Sequence, residues 1–405
     1  MMMCRIAFRN IFRHKRRSVL TALTMLGGFV LAAVAIGWAD GAYNNIINMF
    51  TRNRLGHIQI HAKGYLDKPS LYKNIDRVDQ LGKKILEVTG VEAWSPRLYS
   101  AGLASVGDKS AAVQIMGVDP VLENMATNFD LKVIKGSTLS REASMEVLLG
   151  KGLARTLQAE VGDEVVILSQ AADGSLANDL YQLTGIVESG DEGQDSMGFY
   201  LHLRDAQELL VMEGRVHEIV IIAQRLDRVR ALSREISEAI SRPDLAVAPW
   251  QEFAKSFYTA MKADKMGNWI MIFIIILIVA IGVLNTVLMS VLERQREYGV
   301  LKALGTRPRQ ILALVIYEIT MLAIFSIAAG SGLAYLANKW LSRHGITLSE
   351  PFSYGGMTFH TMYSMINVKS FVVPALAVLG TATLVSLLPA VKAARTAPAK
   401  TMRAV

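Results

Sequence analysis

The sequence predicts an α-helical membrane protein with four transmembrane helices and a large α+β domain inserted between helices 1 and 2. Hydrophobic residues make up 52% of the 405-residue chain, and the mean hydropathy is +0.31. Both values suit a membrane protein that also has a substantial aqueous part. Because a helix rises about 1.5 Å per residue, about 20 apolar residues cross a hydrocarbon core of about 30 Å. Four segments of that length carry almost no charge: residues 19–39, 269–292, 311–337 and 370–391.

The distribution of charge predicts the orientation in the membrane. The pieces before the first segment, between the second and third, and after the fourth together hold 15 basic and 2 acidic residues. The positive-inside rule places these pieces, and therefore both termini, in the cytoplasm. Residues 52–266 hold 25 basic and 30 acidic residues, so we expect this part to be exported. The net charge of +8 thus comes from the membrane flanks, and we predict no nucleic-acid partner.

The first apolar segment also has features of a cleavable signal peptide, because basic residues precede it and Ala33-Val34-Ala35 lies near its end. Its uncharged run is longer than a signal-peptide core of about 7–15 residues, which favours a retained helix. Four spans also return the C-terminus to the cytoplasm. The single cysteine, Cys4, lies on the predicted cytoplasmic side, so we expect no disulfide in the exported domain.

The exported region shows alternating and helical patterns in turn. The first helix is predicted to continue past the membrane to Phe50. Strands are predicted at residues 56–62, 111–118, 145–150, 163–169, 181–188 and 217–223, and helices at residues 76–88, 204–212 and 226–240. These elements predict an α+β domain of about 200 residues in two lobes. We predict a mobile loop at residues 190–198 and a helix at residues 250–266 that leads into the second span.

A search for catalytic, metal and nucleotide sites favours none. The seven histidines include no HExxH motif, and His57 and His61 fall in a predicted strand, where even spacing indicates only a shared face. The stretch GLASVGDKS at residues 102–110 imitates a phosphate loop, but Asp108 separates Gly107 from Lys109 and would repel phosphate. We therefore predict no catalytic residue, no metal site and no cofactor bound by this chain.

The stretch ERQREYGVLKALG at residues 293–305 is predicted to be a short amphipathic helix between the second and third spans. Its acids Glu293 and Glu297 lie one turn apart, and Val300, Leu301 and Leu304 form an apolar edge. Gly305 and the proline that follows it three residues later indicate the helix end. The pattern alone leaves two interpretations open: a helix that binds a protein partner, or one that lies against lipid headgroups.

This stretch resembles the start of the FtsX-type permease domain, the membrane part of ABC transporters of the MacB and lipoprotein-releasing (LolC/LolE) kind. The resemblance implies that residues 293–305 are the coupling helix that docks into a separate ATPase subunit. The C-terminal LLPAVKAARTAPAKTMR and the periplasmic GKGLARTLQAEVGDEV also resemble the family. The implied coupling residues are Glu293, Arg294, Glu297, Gly299, Leu301, Lys302, Ala303, Leu304 and Gly305.

The resemblance covers nearly the whole chain and implies its domains and partners. Residues 1–17 form a cytoplasmic flank, 18–50 the first transmembrane helix with a periplasmic extension, 51–266 a MacB-like periplasmic core domain, and 267–405 the FtsX-like permease domain. GHIQIHAKGY after a long first helix is similar to the lipoprotein-releasing branch. The implied partners are an ABC ATPase dimer that carries ATP-Mg, a second permease copy, the lipid bilayer of the bacterial inner membrane, an acylated lipoprotein cargo and a periplasmic carrier.

The implied function is that of a non-catalytic permease that couples ATP hydrolysis by its partner to lipoprotein release. Acyl chains require an apolar cleft, since exposing each methylene costs about 0.8 kcal/mol. The alternatives are MacB-like efflux of a small molecule or peptide and FtsX-like activation of a periplasmic hydrolase. The substrate-cleft candidates are Tyr43, Ile46, Met49, Phe50 and Phe273.

Glu318 interrupts the third apolar segment about two turns from its start. A glutamate at this depth can reach the headgroup region or pair with a nearby base at modest cost. The nearby bases are Arg307 and Arg309. We expect one of these two structural roles rather than proton transfer.

Overall fold

The computed structural model describes residues 2–13, 15–354 and 357–395. Its helices are α1 Met2–Arg13, α2 Lys15–Phe50, α3 Val78–Glu87, α4 Pro120–Thr127, α5 Lys151–Leu157, α6 Glu192–Met197, α7 Leu203–Leu209, α8 Val229–Ile240, α9 Trp250–Phe253, α10 Lys255–Glu293, α11 Gln295–Ala303, α12 Pro308–His344 and α13 Lys369–Arg395. Its strands are β1 Ile58–Ala62, β2 Val91–Val106, β3 Lys109–Val118, β4 Val133–Gly136, β5 Glu146–Gly150, β6 Glu164–Gln170, β7 Leu176–Val187, β8 Gly198–His202, β9 Glu218–Ala223, β10 Leu245–Pro249, β11 Ile346–Tyr354 and β12 Met357–Met362.

The chain divides into two units. A membrane unit comprises residues 1–45, 261–348 and 361–405, and a periplasmic unit comprises residues 46–260 and 349–360. Helices α2, α10, α12 and α13 are long and apolar enough to cross a membrane, and each contains one predicted apolar segment. The four predicted transmembrane helices and the inserted α+β domain are therefore confirmed.

Glycines allow the helices of the membrane unit to pack closely. A Cβ atom on Gly28 of α2 would lie 2.0 Å from Cγ2 of Val279 in α10, and one on Gly330 of α12 would lie 2.8 Å from the Phe29 ring. Small side chains let helix backbones approach each other in a membrane, where packing contributes much of the attraction. Span 1 is thus packed against spans 2 and 3 of the same chain.

Residues 363–365, which we call the strap, lie on the glycine face of α2 just before α13. The Met365 amide donates a hydrogen bond of 2.9 Å to the Gly37 carbonyl. A Cβ atom on Gly41 would lie 2.3 Å from the Tyr363 carbonyl oxygen, so only glycine permits this contact. The fully buried Asn338 of α12 accepts a hydrogen bond of 2.7 Å from the Ser364 hydroxyl. The strap therefore ties span 3 to span 1.

The periplasmic unit is organised around the long strand β2, which belongs to two parts of one sheet. The N-terminal half of β2 pairs with β9, which continues through β1 to β10. The C-terminal half pairs with β6, while the opposite edge of β2 pairs with β3. Strands β2, β3, β8, β5, β7 and β6 pair in that order, and β6 closes the ring on β2. Strand β2 thus belongs to both parts of the sheet.

Two stretches singled out in the sequence of this unit have regular structure. Within the predicted mobile loop at residues 190–198, residues 192–197 form α6, and the Asp191 side chain accepts hydrogen bonds from the Gly193 and Gln194 amides at its N-terminus. The phosphate-loop mimic at residues 102–110 is the β2–β3 hairpin, in which Val106 pairs with Lys109. Its glycine–aspartate pair forms the turn.

A buried ionic network joins strand β2 to helix α4 and strand β9. Arg97 donates from Nε and Nη2 to Glu123 at 3.1 and 2.6 Å, and from Nη1 to Glu218 at 3.2 Å. Burial alone would raise the pKa of Glu123, but Arg97 lowers it to about 2. The Tyr99 hydroxyl donates to the same Glu218 oxygen at 3.1 Å. The charges are therefore paired inside the domain.

Candidate functional site

The connection between spans 2 and 3 folds as a separate short helix. Helix α10 ends at Glu293, α11 covers Gln295–Ala303, and α12 begins at Pro308. Arg294 lies between the first two helices with φ −100° and ψ 12°. Gly305 has φ +95°, a left-handed conformation that favours glycine. The helix predicted at residues 293–305 is thus shorter at both ends than expected.

The buried side chain of Arg294 fixes the short helix α11 to the rest of the membrane unit. Its guanidinium donates from Nε to Glu297 and from Nη1 to Glu318, each at 2.9 Å. The same group lies 5.4 Å from the centre of the Tyr298 ring. Burial disfavours the charge of Arg294, but the neighbouring Tyr298 and Glu318 outweigh this effect and raise its pKa. The ion pair between Arg294 and Glu318 therefore connects α11 to α12.

Neither of the two bases considered for Glu318 is its partner. Glu318 pairs with Arg294 rather than with Arg307 or Arg309, both of which are exposed at the start of α12. The turn between α10 and α11 brings the Arg294 side chain to the flank of α12, where Glu318 is buried. A buried carboxylate needs a charged or hydrogen-bonding partner, and the arginine provides one.

Further contacts hold the connection in place. Glu293 accepts a hydrogen bond of 3.2 Å from Arg17, which lies at the start of α2. The Lys302 ammonium donates to the carbonyl of Ala394 near the end of α13. Tyr298 is 1% exposed and belongs to the apolar core of the membrane unit. The connection is therefore attached to spans 1, 3 and 4.

The opposite surface of the connection is open. Leu304 is 79% exposed and Val300 is 45% exposed, beside the exposed Arg296 and Ala303. Exposed apolar side chains next to a charged one on a short helix fit both interpretations given by the sequence, a surface that binds a partner and one that lies against lipid headgroups. We call this surface, residues 296, 300, 303 and 304, the loop face.

The nine predicted coupling residues therefore have different surroundings. Glu293, Ala303, Leu304 and Gly305 are exposed, Glu297, Leu301 and Lys302 are half-buried, and Arg294 and Gly299 are buried. Arg296 and Tyr298 were not predicted as coupling residues. Arg296 could have been found from its position one turn before Val300. Nothing in the local sequence distinguishes the buried Tyr298 from an exposed tyrosine.

The substrate-cleft candidates also differ in exposure. Phe50 is buried and stacks on Phe257, with ring centres 3.7 Å apart and planes 8° apart. Ile46 is buried, and Tyr43 and Met49 are half-buried. Phe273 is 65% exposed on α10. Phe50 therefore packs within the chain, whereas Phe273 faces outward.

The described part of the chain contains no cluster of side chains that could bind a metal ion. No group of three or more His, Cys, Asp or Glu side chains is placed to hold a metal ion among residues 2–13, 15–354 and 357–395. The strand histidine His57 instead accepts a hydrogen bond of 2.9 Å from the Ala223 amide. His61 lies 3.0 Å from the Gln59 side-chain oxygen and 3.1 Å from the His217 carbonyl.

The fold and this connection define a multi-pass membrane permease with a large periplasmic domain. Residues 18–239 match the family model of the MacB-like periplasmic core domain, and residues 269–398 match that of the FtsX-like permease C-terminal region. The chain therefore belongs to the FtsX-like permease family that carries a MacB-like periplasmic core domain. It is an ABC transporter permease of the LolC/MacB type.

Three relatives illustrate the range of the family. The chain is 23% identical to the lipoprotein-releasing system transmembrane protein LolC of Neisseria meningitidis serogroup B, over 80% of this chain and 79% of LolC. It is 23% identical to an uncharacterized ABC transporter permease of Methanocaldococcus jannaschii, over 82% of each chain. It is 24% identical to the macrolide export ATP-binding/permease protein MacB of Campylobacter jejuni, over 80% of this chain but 52% of MacB.

Proposed function

We propose that this chain is the non-catalytic permease subunit of an ABC transporter that releases lipoproteins from the inner membrane toward the outer membrane. ATP-Mg is bound by a separate ATPase dimer, and two permease copies, identical or related, complete the transporter. Similarity to LolC over most of the length of both chains supports this assignment. Both termini and the loop face lie in the cytoplasm, as the basic flanks favour.

The observation that carries the proposal is the combination of an exposed loop face with a buried anchor. Leu304 and Val300 offer apolar side chains to an ATPase groove, while the Arg294–Glu318 pair fixes α11 to span 3. Closure of the ATPase dimer on ATP would push two such helices together. Because α11 is anchored, this movement passes into α10 and α12 instead of bending the loop. Through this connection, binding of ATP to the ATPase shifts the conformation of the distant periplasmic domain, which is what allosteric coupling requires.

The docking role is tested by Leu304→Asp, with Leu131→Asp as the matched control. Both leucines are highly exposed, at 79% and 85%, but Leu131 lies in the periplasmic unit. We expect Leu304→Asp to lose co-purification with the ATPase while its melting temperature is unchanged. Leu131→Asp should keep both properties. Normal ATPase association and stimulation in Leu304→Asp would contradict docking through the loop face.

The cargo is tested by native mass spectrometry of the complex extracted gently from its own membranes. An ATPase pair together with an acylated polypeptide supports lipoprotein release. A photo-crosslinker at the half-buried Met49 should then capture the acylated species. Capture of lipid alone there would count against a cargo path along the first helix.

Efflux of a small molecule or peptide is the second candidate function. Similarity to MacB over 80% of this chain and 52% of MacB favours it. Its expected partners are a periplasmic adaptor and an outer-membrane channel. Recovery of these, with no acylated polypeptide, would replace lipoprotein release by efflux and leave the coupling role intact.

A further inference from the structure

A small polar cavity lies in the membrane unit where spans 1 and 2 meet the first residue of α13. Its volume is about 40 Å³, enough for a small polar group but not for an acyl chain. One carboxylate, two ammonium groups, one amide and two aromatic rings surround it. These belong to Asp40, Lys265, Lys369, Asn268, Tyr43 and Trp269.

Aromatic rings position both lysines beside this cavity. The Lys265 ammonium lies 5.2 Å from the centre of the Tyr43 ring, and the Lys369 ammonium lies 5.8 Å from that of Trp269. These distances fall within the range of about 6 Å over which a cation is attracted to an aromatic face. The rings therefore hold two positive charges at one opening.

The two lysines of the cavity are not held by direct ion pairs within the described residues. In residues 2–13, 15–354 and 357–395, neither lysine forms an ion pair with a carboxylate. Asp40 lines the cavity but already accepts a hydrogen bond of 2.9 Å from the Asn367 amide. The groups that line the cavity, two ammonium groups and one carboxylate, carry a net charge of +1, which complements a single negative charge. The carboxylate of Asp264 also acts on Tyr43 but lies outside this lining.

The position of the lysines along their helices matches the headgroup layer. The apolar run of span 2 begins at Trp269, one turn after Lys265, and that of span 4 begins directly after Lys369. Tryptophan and lysine are enriched at this level of a membrane protein. Exposed apolar side chains continue from the cavity into the bilayer, namely Ile270 and Phe273 on α10 and Val372 and Leu376 on α13.

We infer that this cavity binds the phosphodiester group of an anionic phospholipid. The phosphate lies between the two ammonium groups, and the Asn268 amide adds a hydrogen-bond donor. The acyl chains follow the exposed apolar side chains of spans 2 and 4. The site is a lipid site of the permease itself and does not depend on which cargo is transported.

The test uses full-length protein in nanodiscs of phosphatidylglycerol and phosphatidylcholine, with retained lipid counted by native mass spectrometry. Lys265→Gln and Lys369→Gln are compared singly and together with Lys339→Gln. Lys339 is a matched control because its ammonium lies 5.5 Å over the Tyr335 ring but does not line the cavity. A lysine near a membrane surface contributes about 1 kcal/mol toward an anionic lipid, so each cavity variant should reduce retained phosphatidylglycerol about fivefold.

Three results are decisive. Retention of phosphatidylglycerol by the wild type and by Lys339→Gln, with loss in the double variant, supports the site. Equal retention in all variants overturns it. Displacement of phosphatidylglycerol from the wild type by millimolar inorganic phosphate also overturns it, because the cavity would then be a site for free phosphate.

Discussion

Arg294 and Glu318 form a buried ion pair, with Nη1 and Oε2 2.9 Å apart and side chains 5% and 9% exposed. The pair joins the start of the short helix α11 to the membrane-spanning helix α12. Because both charges are removed from water, each depends on the other to offset the cost of burial. The connection between spans 2 and 3 is therefore attached to span 3 and cannot move independently of it.

Glu318→Gln should destabilise the protein strongly. The substitution leaves the half-exposed Glu297 as the remaining carboxylate partner of the buried Arg294 among the described residues, and loss of one member of a buried pair costs about 3–5 kcal/mol. Glu293→Gln is the matched control, since its ion pair with Arg17 is 52% exposed on the glutamate side. Such a pair contributes at most about 1 kcal/mol. Thermal unfolding of purified protein measures both, and equal melting temperatures would show that the buried pair has no structural role.

Glu297→Lys should abolish stimulation of the ATPase while the protein still folds. The Glu297 side chain is 41% exposed and accepts a hydrogen bond from Nε of Arg294. Lysine reverses the charge beside the loop face and repels the guanidinium. Glu297→Gln keeps a hydrogen-bond acceptor and should retain most of the stimulation. ATPase assays of the reconstituted complex measure this, and normal coupling in Glu297→Lys would exclude a docking role for residues 293–305.

Gly41→Ala should lower stability, whereas Gly27→Ala should not. Alanine favours a helix over glycine by about 1 kcal/mol, which acts equally at both positions of α2. At Gly41 the new Cβ would lie 2.3 Å from the Tyr363 carbonyl, but at Gly27 no atom of the described residues beyond the local helix backbone lies within 4 Å. Displacing packed backbone costs about 1–3 kcal/mol. A melting temperature of Gly41→Ala at or above that of Gly27→Ala would contradict the close contact with the strap.

The periplasmic unit should lose stability as the pH falls from 6.5 to about 4. Burial lowers the pKa of His57 from 6.5 to about 4, so the unfolded chain binds a proton in this range that the folded chain excludes. The stability is fully present above pH 6.5 and is lost progressively below it. The contribution is on the order of 3 kcal/mol. The pKa of His217 is lowered by burial as well and acts in the same direction.

The variant His57→Asn tests this contribution. Its side-chain oxygen can still accept from the Ala223 amide but does not titrate. We expect a weaker pH dependence of the melting temperature between pH 4.5 and 6.5 than in the wild type. The control is His344→Asn, because this exposed histidine belongs to the membrane unit and not to the periplasmic unit whose unfolding is followed. An unchanged profile in His57→Asn would show that this residue does not control acid stability.

The strands predicted from the sequence are not only those buried on one face. Strands β1, β5 and β9 are buried along almost their whole length and were recognised as short strand-like runs. Strand β6 alternates between buried and exposed residues, although its sequence EVVILSQ is apolar from Val165 to Leu168. Strand β8 is buried throughout, and the first half of β2 is buried on both faces, so neither sequence alternates there. Period-two alternation indicates a half-buried strand only, and a strand surrounded by protein lacks this signal.

The candidate site was predicted in position but not in its contacts. Charge and apolar spacing located the connection at residues 293–305, because those properties are local. From the sequence, the bases considered as partners of Glu318 were Arg307 and Arg309, which are the nearest along the chain. The partner in the structure is Arg294, 24 residues away along the chain. A single sequence does not indicate which charge a turn brings back to a helix. For the same reason, the sequence does not indicate that Arg294, a charged residue, is buried.

The strap meets the first helix mainly through main-chain atoms, with the Met365 amide on the Gly37 carbonyl and the Tyr363 carbonyl against Gly41. Every residue except proline supplies the same amide and carbonyl groups. Side chains in the strap can therefore be exchanged while the contact is kept. Methods that infer contacts from correlated substitutions would find little signal here, although two membrane segments touch. The contact would be visible in sequence only as a requirement for glycine on the helix side.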